Sequence, residues 1–258
     1  MSFDREPLIM LGRDHVEKGV HALREVAPKV VAATTAGEGA SLNPKVVPNE
    51  DSLAVVSLVG GIAAVVADSH FGDTAGVVVV EAFARRLGER PPPGDALALA
   101  ELLLEIDGEI GQAMPPGETS ATTAIAVVLG AGRLLWASCG DSLLFGRKPP
   151  SHELTRIDRP TSVFMGGTCD RADLEARGIG IGRLVQAGEE EVAPGDLLLL
   201  ASDGIEELCS GLTLERISAL MSRDAPLAAR VADLMTQAGR SAYGGGRDNL
   251  TVVAIEVE

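Results

Sequence analysis

Apolar residues in this chain come in short runs separated by turn residues, and helical stretches interrupt the series. Residues 53–59 and 62–67 are two such runs, with Gly60 and Gly61 between them. Runs of this length and composition read as buried strands. Two glycines between them predict a two-residue hairpin turn, because both positions can take positive φ. Residues 29–35 form a candidate first strand. Residues 1–28 are polar with a loose helical pattern, and residues 37–48 read as a loop rich in Gly, Ser, Asn and Pro.

The period then changes. Residues 73–88 read as a helix, capped by Asp73 or Thr74, with Val80, Phe83, Ala84 and Leu87 on one face. Pro91, Pro92, Pro93 and Gly94 end it and place a second helix from Asp95. There Leu99, Leu103, Ile106 and Ile110 repeat at helical spacing. Strands return at residues 122–129, 133–138 and 142–147, with turns at 130–132 and at Gly140 and Asp141. Residues 148–182 hold prolines, glycines and mixed charges with little periodicity, and 149–182 read as a surface flap. Pro194, Gly195 and Asp196 turn the chain into a strand at 197–201. Residues 205–209 and 214–221 look helical. Leu227, Val231, Leu234 and Ala238 mark another amphipathic helix, which Gly244, Gly245 and Gly246 break before a last strand. Hairpin-joined strands and paired helices predict an α+β fold: two antiparallel sheets forming a sandwich flanked by pairs of helices. One domain would span 1–258, with 1–28 as an N-terminal extension.

Composition narrows the picture. With one Trp, one Tyr and five Phe, the core must come mainly from Val, Leu, Ile and Ala. A formal charge of -15 argues against a nucleic-acid-binding surface, which needs clustered Lys and Arg. Cys139, Cys169 and Cys209 are odd in number and widely spaced, unlike a disulfide framework or a zinc site. The N-terminus shows no long apolar signal, and the stretch 53–67 is too interrupted to span a bilayer. The expectation is a soluble cytoplasmic protein without a membrane partner.

The candidate chemistry lies at the strand ends. Asp68, Asp141 and Asp203 each close an apolar run, Asp248 stands just before one, and Glu50 and Asp51 precede another. A carboxylate at the mouth of a buried strand is costly unless something positive neutralises it. This many acids point to one shared cation site. The all-oxygen donor set suits hard ions such as Mg²⁺ or Mn²⁺.

Six short segments carry a more specific message: Asn49-Glu50-Asp51-Ser52, Asp68-Ser69-His70-Phe71-Gly72-Asp73, Thr119-Ser120-Ala121-Thr122-Thr123-Ala124, Cys139-Gly140-Asp141-Ser142, Ser202-Asp203-Gly204 and Arg247-Asp248-Asn249. In this order and spacing they resemble the metal-dependent Ser/Thr protein phosphatases of type 2C, the PPM family in its bacterial form. The resemblance covers the chain from about Asn49 onward. It implies a β-sandwich flanked by helices with a centre for two Mn²⁺ or Mg²⁺ ions and a third, weaker one. By that pattern Asp68 bridges two ions and Ser69 gives a carbonyl. Asp203 and Asp248 serve one ion, Glu50 and Asp51 serve the other directly or through water, and Asp141 helps hold the third. Divalent cations so held can activate water for attack on phosphorus with no covalent intermediate. His70 becomes the candidate general acid for the leaving alkoxide, with Asp51 the second candidate catalytic residue.

The chain departs from the pattern at four places. Ser69 replaces a Gly, Asp73 replaces the second Gly of a pair, and Ala121 replaces another. Val46 stands where many members carry a phosphate-binding Arg, which leaves Lys45, one position away, as the candidate substitute. The implied partner is a phosphorylated protein, the substrate of a Ser/Thr kinase. The alternative is a pseudophosphatase, a binding module that keeps the fold and binds metal or a phosphoprotein without turnover. A third reading, as an antagonist of a kinase switch system, differs in substrate and not in chemistry.

Overall fold

A computed structural model describes residues 6–38, 45–161, 163–166, 185–239 and 248–258. The chain runs β1 (Leu8–Leu11), a 3-10 turn (Gly12–Asp14), β2 (His21–Ala27), β3 (Val30–Thr35), β4 (Asp51–Leu58) and β5 (Gly61–His70). Helices α1 (Thr74–Glu89) and α2 (Ala96–Ala113) follow. Next come β6 (Ala121–Thr122), β7 (Ala124–Gly130), β8 (Arg133–Cys139), β9 (Leu143–Arg147), β10 (Thr155–Arg156), β11 (Gln186–Glu191) and β12 (Leu197–Ala201). A 3-10 turn (Asp203–Ile205) leads to α3 (Glu207–Ser210), α4 (Leu214–Met221), α5 (Leu227–Gly239) and β13 (Leu250–Glu256).

The strands form two antiparallel sheets, as expected. One runs β1-β4-β5-β7-β8-β11, with β6 paired to the end of β5; the other runs β10-β9-β12-β13-β3-β2. Side chains alternate across each strand, so each sheet has two faces to cover. On the first sheet Ala54, Val65, Ala67 and Ala126 face α1 and α2, meeting Val79, Phe83, Leu103 and Ile106. On the second sheet Val31, Leu199, Val252 and Ala254 face α4 and α5, meeting Ile217, Val231 and Leu234. The inner faces meet each other through Leu53, Val55, Val66, Leu198, Leu200 and Val253. Three apolar layers therefore hold four layers of structure. The small aromatic complement predicted the filling: of the largest fully buried side chains, Phe83 is the aromatic one among Leu and Ile.

Four expectations change. The polar stretch 1–28 holds no α-helix within its described part: around one 3-10 turn it carries β1 and β2, each at a sheet edge. The hairpin pairs Leu58 with Gly61, so Val59 and Gly60 make the turn, and of the two glycines Gly60 takes the positive φ of 78°. Residues 205–209 are a 3-10 turn followed by a single helical turn and not a continuous helix. The strand β11, Gln-Ala-Gly-Glu-Glu-Glu, was not expected at all. Of the expected flap, β10 pairs with β9 and Met165 bridges Thr122, while residues 167–184 lie outside the described part. The breaking glycines 244–246 and Cys169 also lie outside it. Among the described residues, no helix is long and apolar enough to cross a membrane.

Candidate metal centre

The inner apolar faces end abruptly at one edge of the sandwich. In β4 the inward column Val55, Leu53 continues to Asp51; in β5 the column Ala64, Val66 continues to Asp68. In the opposite sheet Leu200 is followed by Ser202, Val253 is preceded by Thr251, and Ala32 is followed by Thr34. The alternation that builds the core thus carries polar side chains to one end of it. The tip of the β4–β5 hairpin lies at the other end.

Asp51 and Asp68 are directly cross-strand partners. Like charges in that position repel each other, and both are buried, Asp51 at 0% exposure and Asp68 at 2%. Each keeps one oxygen, Oδ1, without a hydrogen-bond partner, as do Glu50 through Oε2 and Asp141 through Oδ1. Burial, then repulsion from Asp51 and Asp203, drives the Asp68 carboxyl well above the usual carboxylate range. Burial also lifts Asp51 to about 6, against the pull of Lys45, and lifts Asp203 to about 7. These are the energetics of a site short of positive charge.

Hydrogen bonds fix the remaining acids. The second Asp51 oxygen accepts from Ser202 Oγ at 2.7 Å, and that hydroxyl accepts from Thr251 N at 2.9 Å. Glu50 Oε1 accepts from Val46 N at 2.9 Å and from Gly72 N at 2.9 Å, tying two loops to the mouth. Asn249 does the same for the two sheets. Its Oδ1 accepts from Glu50 N at 2.9 Å and its Nδ2 donates to Pro48 O at 2.8 Å. Asp248 Oδ1 accepts from Asn249 N at 2.8 Å. The organising roles of Asn249, Ser202 and Thr251 had no expectation attached, although Asn249 and Ser202 stand inside the quoted segments.

Gly204 explains why Asp203 and Asp248 come together. A Cβ at Gly204 would lie 1.9 Å from the Asn249 carbonyl oxygen. Only hydrogen at that position allows the two strand ends to approach this closely. We expect Gly204→Ala to destabilise the protein by about 1–3 kcal/mol, as overpacking against backbone does. The thermal melt checks this, and an unchanged melting temperature would count against the close approach.

Ser69 needs no special backbone. It lies in β5, opposite Thr122. Its hydroxyl accepts from Gly76 N at 3.0 Å, and Ser120 Oγ accepts from Ala75 N at 3.1 Å. Two serines therefore satisfy the open N–H groups at the start of α1. Asp73 holds the N-cap position, but its side chain does not cap; it pairs with Arg13 at 2.5 Å. The strained residue is Phe71, with φ of 63°, followed by Gly72 at 109°. This turn takes the chain away from β5 just after His70 and delivers Gly72 N to Glu50.

His70 is half-buried, its ring edge-on to Phe164 with centroids 5.0 Å apart. Burial and Lys45 lower its pKa, against the charges of Asp141, Asp248 and Glu50. Asp141 follows Gly140, whose φ of 92° makes the turn between β8 and β9.

Lys45 differs most from expectation. A phosphate ligand would face solvent, but the Lys45 side chain is 8% exposed and its Nζ sits 2.9 Å from Asp248 Oδ1 and 3.9 Å from Glu50 Oε2. Burial lowers its pKa, yet Asp68, Asp51 and Asp248 together raise it above the normal lysine value. Val46, beside it, is 73% exposed and offers no charge.

The residues fit hard divalent cations in chemistry: carboxylate oxygens, several buried and unpartnered, with Lys45 the cation paired to them among the described residues. Among the described residues, no three His, Cys, Asp or Glu side chains already stand as a ready-made ligand set.

No family model and no curated protein matches the sequence. Solved structures do. The catalytic domain of the serine/threonine phosphatase PstP, solved with two manganese ions, is 23% identical over 93% of this chain and 100% of its own, with a TM-score of 0.64. The PPM Ser-Thr phosphatase MsPP of Mycobacterium smegmatis is 22% identical over 89% of this chain and 98% of its own, at TM-score 0.60. The fold is that of the PPM phosphatases. PppA of Pseudomonas aeruginosa, a regulatory component of T6SS, shares this PPM-like architecture at 21% identity, 91% and 97% coverage and TM-score 0.61. In this PPM fold the acidic edge of the sandwich is where the two sheets bring Asp51, Asp68, Asp203 and Asp248 to one mouth.

Proposed function

We propose that this protein hydrolyses phosphoserine and phosphothreonine on a protein substrate, with Mn²⁺ or Mg²⁺ held by Asp68, Asp203, Asp248, Glu50 and Asp51. Ser69 would offer its carbonyl, and Asp141 would assist with a third, weaker ion. The observation that carries this reading is the buried cross-strand pair Asp51 and Asp68, each with an unpartnered oxygen. When bound, such ions would supply an activated water and offset charge on the phosphoryl oxygens.

The chain's own residues do the rest. Ser202 and Asn249 hold Asp51 and Glu50 in place, so the ligands are fixed before any ion arrives. His70, at the mouth beside Phe164, would give a proton to the leaving alkoxide. Its lowered pKa makes it a stronger acid with a smaller protonated fraction at neutrality. Cys139 and Cys209 are buried and free, and burial pushes both thiols up to about 12, so neither serves as a nucleophile. Free thiols also suit a reducing, cytoplasmic setting. The natural counterpart is a Ser/Thr kinase acting on the same protein.

We expect metal-stripped protein to leave p-nitrophenyl phosphate untouched and to hydrolyse it once Mn²⁺ is added. A steady-state assay with and without chelator checks this. Turnover that ignores the chelator would overturn the metal-dependent reading; failure of Mn²⁺ to produce turnover would overturn the enzyme reading.

A further inference from the structure

Lysine is among the residues least often buried unless paired. Lys45 is buried where Glu50, Asp51, Asp68 and Asp248, all buried, crowd together. Its ammonium contacts Asp248, just ahead of β13 in one sheet, and approaches Glu50, just ahead of β4 in the other. One positive charge therefore bridges the two sheets at the mouth. Five acids, Glu50, Asp51, Asp68, Asp203 and Asp248, stand against this single lysine.

The backbone that carries Lys45 is anchored apart from its side chain. Val46 N and Val47 N donate to Glu50 Oε1 at 2.9 and 3.4 Å, while the ammonium reaches Glu50 Oε2 and Asp248. The four-carbon stem can rotate away without breaking the loop.

We propose that Lys45 is a built-in counter-cation of the carboxylate centre, and that a divalent ion drawing on Asp248 and Glu50 must displace its ammonium. This rests on the reading of the centre as a site for divalent ions. Asp51 and Asp68 retain unpartnered oxygens with Lys45 in place, so the first ion finds ligands ready. The ion that uses Asp248 competes with the lysine. Lys45 thus steadies the metal-free protein and weakens the second binding step.

The test is calorimetric titration of metal-stripped full-length protein with MnCl₂, for the wild type and for Lys45→Met, which keeps the stem and removes the charge. The weaker binding step should tighten by about tenfold or more in the variant, the scale on which partners of metal ligands tune affinity. In chelator the variant should melt below the wild type, and in saturating Mn²⁺ the gap should close. Lys45→Gln, polar and uncharged, should behave the same way and serves if the Met variant does not fold. Equal or weaker Mn²⁺ binding in the neutral variants overturns the displacement while leaving the metal centre standing. Absence of Mn²⁺ binding in the wild type overturns both.

Discussion

Asp68→Asn will abolish Mn²⁺-dependent turnover and at the same time raise the melting temperature of the metal-free protein. The two effects share one cause. Asp68 is buried opposite Asp51, and Asp51 and Asp203 both oppose its charge. Asparagine keeps the shape and removes the charge, so a repelled buried carboxylate disappears. Each kcal/mol relieved is worth about 2–4 °C in a chain of this size. A divalent ion, by contrast, would lose one of the carboxylates proposed to hold it. We expect hydrolysis of p-nitrophenyl phosphate to fall by more than about 100-fold, the upper end of the loss when a ligand merely loses its supporting hydrogen bond. Turnover and melting in chelator are measured on the same preparation. Retained turnover would remove Asp68 from the centre. A lower metal-free melting temperature would show that its charge is not strained.

What the sequence told and what it withheld follows from how each strand is stabilised. The central strands β4, β5, β7, β12 and β13 are apolar on both faces because helices cover one face and the opposite sheet covers the other. Such strands read as continuous hydrophobic runs, and all of them were legible. The four strands that sequence patterning missed or left in loops, β1, β2, β10 and β11, are the four sheet edges. An edge strand is held by backbone pairing on one side and needs little apolar area, and charges there discourage pairing with other chains. β11, with three glutamates paired against β8, carries no hydrophobic signal to find.

The site divides in the same way. The acids were legible because each interrupts an apolar run, and a buried charge at a strand end has few cheap explanations. Asn249, Ser202 and Thr251 were not, because a small polar residue near a turn is common and its partners lie far away in sequence. Lys45 was legible as a cation near the centre but not in its direction. Its loop has no periodicity, and the carboxylate that draws it inward, Asp248, arrives from the other end of the chain. The resemblance to PPM phosphatases pointed to the acidic segments; the burial and pairing of Asp51 and Asp68 give the physical reason to propose a cation there.

The same electrostatics predict how stability responds to pH. The folded-state carboxyls of Asp51 and Asp203 stand at about 6 and about 7, against 3.8 for a free, solvated aspartate. Asp68 shifts in the same direction. Between pH 4 and 7 the folded metal-free protein therefore binds more protons than the unfolded chain, and its stability falls as pH rises through that window. The three acids interact, so their contributions do not simply add. Lys45, with its pKa raised, stays charged throughout and leaves the slope unchanged. His70 acts in the opposite sense, because its lowered pKa favours unfolding on the acid side of the normal histidine range, and it offsets part of the effect. Glu109 and Glu189, lowered by their arginine partners, also oppose it, but only in stronger acid. Divalent ions need the carboxylates deprotonated, so their stabilisation grows as pH rises. Thermal melts from pH 4.5 to 7.5 should show the chelated protein losing stability while the Mn²⁺-loaded protein holds, with the gap between them widening. Parallel curves would mean that the acids at this edge of the sandwich neither carry the strain nor bind the ion.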